Sequence, residues 1–210
     1  MNVTSKIISE KLLQIKAIKL EPANFFTWAS GWHSPIYCDN RKTLSFPEIR
    51  TFIKDSFVSL IQEKFSNYDI IAGVATGAIA QGALVADKLS KPFVYVRSSS
   101  KDHGLGNQIE GSICIGQKVV IVEDLISTGG SSLNAVKALR EAGCEIVGMV
   151  AIFSYQFQKS QDAFEVEKIP LYTLSNYNDL IDTALNLNYI SEKEVDLLKE
   201  WRLDPENWKK

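Results

Sequence analysis

The chain has 210 residues, 45% of them hydrophobic, with 23 basic side chains against 25 acidic ones and a net charge of −2. That balance offers no cationic face to nucleic acid or to an anionic membrane, so any anion site has to be built locally. No apolar run approaches the ~20 residues that span a bilayer, the opening Met1-Asn-Val-Thr-Ser-Lys lacks the apolar core of a signal peptide, and the widely spaced Cys38, Cys114 and Cys144 make neither a disulfide framework nor a zinc site.

A reduced, cytoplasmic protein of one α/β domain is the expectation. Residues 6–16 place Ile7, Ile8, Leu12, Leu13 and Ile15 at helical spacing and predict an amphipathic first helix. Short strands are expected over 18–20, 25–28 and 35–38, broken by Pro22 and by Ser30-Gly31, which together make a small β-rich lobe. Ser45-Phe46-Pro47-Glu48 reads as a helix start, with Ser45 as cap, and that helix runs to about residue 65. Strand and helix then alternate: strand 69–74, helix 78–89, strand 93–96, a long loop, strand 118–123, helix 132–142, strand 146–153. A strand at 171–174 and helices near 180–185 and 191–201 close the chain and pack back onto the first lobe. Such alternation specifies a mostly parallel sheet with right-handed crossovers. Ligands bind at the carboxyl ends of such strands, which puts Ala75-Thr76-Gly77, Arg97 and Glu123-Asp124 on one rim.

The most informative stretch is Val119-Val-Ile-Val-Glu-Asp-Leu-Ile-Ser-Thr-Gly-Gly-Ser131. A buried β-branched strand runs into two adjacent carboxylates, and a turn of small hydroxylated residues opens a helix. Backbone N–H groups in such a turn converge on an anion, and the helix dipole favours negative charge there. The hydroxyls of Ser127, Thr128 and Ser131 add donors suited to a phosphate monoester. Glu123 and Asp124 would repel a bare phosphate, but suit sugar hydroxyls beside one or a divalent cation. The segment therefore reads as a grip for ribose 5-phosphate. The Lys of a Walker loop and the G-x-G-x-x-G of a dinucleotide site are both missing. An ordinary buried strand before a capped helix would not need two acids and three hydroxyls around two glycines.

Two loops share that rim. Residues 95–107 end a strand in Arg97 and continue as a polar, glycine-punctuated loop carrying Lys101 and His103, a composition suited to closing over a polyanion. Gly73-Val-Ala-Thr-Gly-Ala78 suits either close approach of amides to a pyrophosphate or tight helix–strand packing. Residues 28–41 alternate aromatic and polar groups, offering either flat walls for a planar heterocycle or the core of a small lobe.

Residues 119–131 closely resemble the 5-phosphoribosyl 1-pyrophosphate (PRPP) signature of the type I phosphoribosyltransferases. The whole chain resembles the orotate phosphoribosyltransferases, through Phe26-Thr-Trp-Ala-Ser-Gly-Trp, Ser34-Pro-Ile-Tyr-Cys-Asp-Asn-Arg41, Lys101-Asp-His-Gly-Leu-Gly-Asn-Gln-Ile-Glu-Gly111, Asn188-Tyr-Ile-Ser and Trp201-Arg-Leu-Asp-Pro-Glu-Asn-Trp208. The resemblance implies the type I fold as a single domain, with a hood lobe of about residues 1–44 plus part of the C-terminus over a core of about 45–174. It implies transfer of ribose 5-phosphate from PRPP to orotate, giving orotidine 5′-monophosphate and pyrophosphate in pyrimidine biosynthesis.

By that likeness the PRPP-binding residues are Arg97, Lys101, His103, Glu123, Asp124, Leu125, Ile126, Ser127, Thr128, Gly129, Gly130 and Ser131. Glu123 and Asp124 hold the ribose hydroxyls, residues 127–131 the 5-phosphate, and Arg97 the pyrophosphate. Lys101, His103 and Asp124 carry the catalysis, and Ser127 also contacts orotate, with residues 36–37 walling the base. Mg2+ is the cofactor, bound mainly through PRPP rather than by direct protein ligands. Lys101 and His103 reach from a flexible loop into the neighbouring subunit's site, so a homodimer is implied. Several cations of other family members are replaced here: Ser98-Ser99-Ser100 follow Arg97, Thr76-Gly77 stands in the pyrophosphate turn, Ala29 precedes Ser30-Gly31, and no Arg lies among Phe153-Ser-Tyr-Gln-Phe157. Backbone amides of the first lobe are the expected partner of the orotate carboxylate. The alternatives are a phosphoribosyltransferase for another base, or a non-catalytic PRPP-binding regulator, although neither a basic patch nor a helix-turn-helix accompanies the grip.

Overall fold

The computed structural model describes residues 3–28, 30–99 and 108–209. The chain forms two compact units, Met1–Thr43 with Ser175–Lys210, and Leu44–Leu174.

The first unit begins with α1 (Val3–Gln14), which buries Ile8, Leu12 and Leu13 together with the small Ser5 and Ser9. Four short strands follow: β1 (Ile18–Leu20), β2 (Phe26–Thr27), β3 (His33–Ser34) and β4 (Ile36–Cys38). β1 pairs antiparallel with β4, Ile18 opposite Cys38. β2 and β3 make a separate hairpin, Phe26 opposite Ser34. Sequence reading did not separate β3 from β4, because the turn that creates it is local: Trp28 N donates to the Trp32 carbonyl at 2.9 Å, and Gly31 takes φ +85°. A 3-10 helix over Asn40–Ser45 leads out of the lobe.

The second unit opens with α2 (Pro47–Lys64), where Pro47 occupies the first turn because its missing N–H has no helical partner there. Ser45 is not the cap. It ends the 3-10 helix, and extended Phe46 takes the N-cap position with no side-chain bond. Then come β5 (Ile70–Val74), α3 (Ile79–Lys88), β6 (Phe93–Val96), β7 (Ile109–Glu110), β8 (Lys118–Ile126), α4 (Gly130–Glu141), β9 (Glu145–Ser154), α5 (Gln158–Val166) and β10 (Leu171–Asn176). The sheet order is β10-β9-β8-β5-β6-β7. β5–β6, β5–β8 and β8–β9 are parallel, and the short β7 runs antiparallel to β6.

The crossovers β5–α3–β6 and β8–α4–β9 advance in opposite directions across the sheet, so a common right hand puts α3 and α4 on opposite faces. Alternate strand residues follow suit. Ile70, Ala72, Val119, Ile121, Met149 and Ala151 cluster with Ala135, Val136, Leu139 and Phe164 of α4 and α5. Ile71, Val120, Val122, Val150 and Ile152, equally buried, face the other way. On that side α2 packs against α3 and β9, with Ile53, Phe57 and Ile61 fully buried. Truncating Phe57 to Ala is expected to cost about 3–5 kcal/mol.

Two boundaries depart from the sequence reading. β8 extends to Ile126 rather than ending at the carboxylates, because β9 supplies partners as far as Ile126 opposite Ser154. The helix α5 was not foreseen, since it buries only Ser160 and Phe164 and shows little apolar periodicity.

Back in the first unit, α6 (Tyr177–Asn186) is capped by the Asn176 side chain accepting from Asp179 N. α7 (Glu192–Leu203) starts with a Ser191/Glu194 capping box. α6 packs on α1, where Ser9 Oγ and Ser175 Oγ lie 2.7 Å apart. No helix among the described residues is long and apolar enough to cross a membrane.

Candidate active site

Strand register brings the chemistry to one rim of the second unit. Val122 pairs with Gly73 and Val96 with Val74, so Asp124, Ala75 and Arg97 come to about the same level, with Glu123 one step before. Ala75 N donates to the Val96 carbonyl at 2.8 Å, holding the 75–77 turn to the sheet edge. The Ala75–Thr76 peptide bond in that turn is cis.

Glu123 and Asp124 lie within β8, and their carboxyl groups lie close to one another. Glu123 is 4% exposed. Its Oε2 accepts from Ser132 Oγ at 2.8 Å and its Oε1 from the Asp124 amide at 2.9 Å. Burial, with the Asp124 charge next to it, holds its carboxyl well above the usual carboxylate range. Asp124 is half-buried, and its carboxylate lies against Gly77, where any β-carbon would collide with it. The two glycines of the 73–78 segment thus have different reasons. At Gly73 a β-carbon would stand 2.9 Å from the Ala78 carbonyl oxygen, a packing constraint. At Gly77 it would strike the acid of the signature.

After Leu125 and Ile126 close the strand, Ser127 and Thr128 are half-buried, and Gly129 turns the chain with φ +85° as the N-cap of α4. No side chain caps this helix, so its first N–H groups, at Gly130, Ser131 and Ser132, have no intrahelical partner. Gly130 and Ser131 are exposed, and nothing lies within 4 Å of where a Gly130 β-carbon would stand. Open amides, aligned dipole and flanking hydroxyls form a cradle for a dianionic phosphate.

Arg97 continues from β6. Its amide donates to the Gln108 carbonyl at 2.9 Å, and its own carbonyl accepts from Gln108 Nε2 at 2.7 Å. Its guanidinium pairs with Glu110 at 3.6 Å, too long for a hydrogen bond; Nη1 is buried with no hydrogen-bond partner among the described residues. Lys101, His103 and Ala29 lie outside the described residues. Ser132, which anchors Glu123, was read from sequence only as the start of a helix. Its signal was a hydroxyl one turn beyond the acids.

No group of three or more His, Cys, Asp or Glu able to hold a metal occurs among the described residues. Hard divalent cations take oxygen ligands and favour substrate phosphates over all-protein cages when, like Mg2+, they keep octahedral geometry. Two carboxylates beside a phosphate cradle fit a cation carried in mainly by its substrate.

The family model described as "Phosphoribosyl transferase domain" matches residues 45–186. Orotate phosphoribosyltransferase of Bacteroides fragilis is 60% identical over 99% of this chain and 98% of its own. Among solved structures, Leishmania donovani UMP synthase superposes with a TM-score of 0.80 at 22% identity, covering 94% of this chain; this chain spans 42% of that protein. Orotate phosphoribosyltransferase of Aeropyrum pernix gives 0.76 at 24% identity, covering 88% of this chain and 99% of that one. These two structural likenesses concern the fold, and the sequence likeness carries the family. A family model over residues 45–186 and a relative 60% identical over nearly the whole of both chains make it a member of the phosphoribosyltransferases and, within them, of the orotate phosphoribosyltransferase family.

Proposed function

We propose that the chain transfers ribose 5-phosphate from PRPP to N1 of orotate, releasing pyrophosphate and forming orotidine 5′-monophosphate. One observation supports this reading above others: the Asp124 carboxylate is seated against Gly77 in the strand that leads to the uncapped N-terminus of α4. Sugar hydroxyls and a 5-phosphate need those two chemistries side by side.

In the proposed mechanism the amides of residues 129–131 and the hydroxyls of Ser127, Thr128 and Ser131 hold the 5-phosphate. Glu123 and Asp124 accept from the 2- and 3-hydroxyls. Breaking the bond from C1 to pyrophosphate leaves oxocarbenium-like charge on the ribose, which the Asp124 carboxylate favours electrostatically. The leaving group gathers negative charge, and Arg97, Lys101 and His103 meet it. Arg97 is suited to this because its buried Nη1 makes no hydrogen bond among the described residues. Mg2+ would be carried in mainly on PRPP, with Asp124 and Glu123 the protein carboxylates that would help hold it, and would supply neutralisation of phosphate charge. Orotate is anionic near neutral pH, so no strong general base is required. Residues 26–37 supply aromatic walls for the base and N–H groups for its carboxylate, with Ser127 as a further contact.

The working unit in this proposal is a cytoplasmic homodimer in which the loop carrying Lys101 and His103 serves the partner's site. In this proposal the single phosphoribosyltransferase domain comprises a hood lobe, about residues 1–44 plus part of the C-terminus, and a core of about 45–174. The test is to mix the protein with PRPP, Mg2+ and orotate and follow the loss of orotate's ultraviolet absorbance, with adenine, hypoxanthine and uracil as parallel acceptors. Turnover with orotate alone is expected. Turnover of another base, or PRPP binding without turnover, would overturn the proposal.

A further inference from the structure

The β2–β3 hairpin is fastened by the end of the chain. Its strands are two residues each, and a two-stranded hairpin of that length does not hold itself in water. Trp201 of α7, fully buried, donates from Nε1 to the His33 carbonyl at 3.0 Å and meets the Trp28 ring edge-on at 5.7 Å. Beyond the helix, Trp208 is buried to 6% exposure and stands edge-on to Phe25 at 5.6 Å. The Lys209 carbonyl lies 2.8 Å from His33 Nδ1; a carbonyl only accepts, so His33 carries its proton there. The Phe25 and His33 rings are 4.6 Å apart, and Lys209 Nζ lies over the rings of Trp208 and Phe25 at 4.5 and 5.3 Å. One residue, His33, is thus held twice, by its backbone from α7 and by its ring from the tail.

We infer that residues 204–209 are a positioning element for the base: they set the β2–β3 hairpin, whose rings and amides receive the planar heterocycle in the function proposed above, on which this inference rests. Trp208 and His33 are its positioning residues. They act on the acceptor side of the reaction and not on the PRPP grip, which belongs to strands and turns of the other unit.

The experiment is steady-state kinetics of the full chain, varying orotate at saturating PRPP and PRPP at saturating orotate, on the wild type, Trp208→Ala, Trp208→Phe and His33→Phe. Loss of an aromatic pair and the bond it shelters predicts an orotate KM raised about tenfold in Trp208→Ala. His33→Phe, which keeps a ring beside Phe25 and removes only the bond to Lys209, raises it about threefold to tenfold. Trp208→Phe returns most of the loss, while the PRPP KM and kcat stay within about twofold throughout. Orotate KM unchanged in both folded variants, or orotate and PRPP constants moving together, would overturn the inference. If Trp208→Ala does not fold, His33→Phe decides. A wild type without orotate turnover would refute the function itself, an outcome distinct from any change in KM ratio among active variants.

Discussion

Replacing Gly77 with alanine adds one carbon to the turn after β5, and the nearest atoms to that carbon are those of the Asp124 carboxylate. Oδ1 would stand 2.5 Å from it and the other two carboxylate atoms closer, where ordinary contact begins at 3.4 Å. The carboxylate must therefore withdraw by at least 0.9 Å (3.4 less 2.5), on the order of 1 Å. Asp124 is half-buried, so a rotation of its side chain relieves the clash at a cost of about 0.5–1.5 kcal/mol. In a domain of this size that lowers Tm by about 2–6 °C. Catalysis is less forgiving, because a 1 Å misplacement of a positioned group costs on the order of 10²-fold. Gly77→Ala is thus expected to keep its fold and lose about 10²-fold in kcat/KM with orotate and PRPP. Thermal unfolding and the ultraviolet assay on the same preparation separate the two effects. Activity within about threefold of wild type would refute the placement of Asp124 against this turn as a catalytic requirement. A Tm lower by more than about 10 °C would mean that Gly77 serves packing instead.

Three further outcomes are expected. Glu123 has a carboxyl raised by burial and by the Asp124 charge, so folding favours its protonated form. That contribution is complete below the ordinary value of 4.5 and is lost as pH rises through the raised folded value. Glu123→Gln, whose amide can satisfy both Ser132 Oγ and the Asp124 N–H, should therefore gain Tm relative to wild type as pH rises above about 4.5; a difference that does not vary with pH would contradict the cause assigned to the shift. Gly129→Ala forces a side chain into φ +85° with Phe164 carbon 3.2 Å away, and denaturant unfolding should register a loss of about 1–2 kcal/mol. Lys101→Ala and Asp124→Asn should each lose turnover alone yet regain part of it when mixed; mixtures no better than their components would argue against loops shared between subunits.

The strand–helix alternation from residue 69 to 153 and the small-residue turn into α4 were legible because each rests on local chemistry. β-branched runs make buried strands, and small hydroxylated residues before a helix make an anion site. Other features needed the fold. α5 has too little apolar periodicity to announce itself, and the 3-10 helix at Asn40–Ser45 turned a good capping residue, Ser45, into the end of the preceding turn. In residues 73–78 the sequence allowed packing and ligand approach alike, and the structure assigns packing to Gly73 and the Asp124 contact to Gly77.

By itself the sequence determined the class of the fold and put two adjacent acids near the carboxyl end of β8. Only tertiary structure decided what each acid does. Glu123 and Asp124 are neighbours in sequence, β9 prolongs β8 through both of them, and their carboxyl groups lie close to one another, yet each meets a different element. One accepts from Ser132, with its carboxyl held above the usual carboxylate range, and the other is set against Gly77. That division depends on which strand lies beside β8 and which turn lies across from it, long-range pairings that no local run of residues encodes.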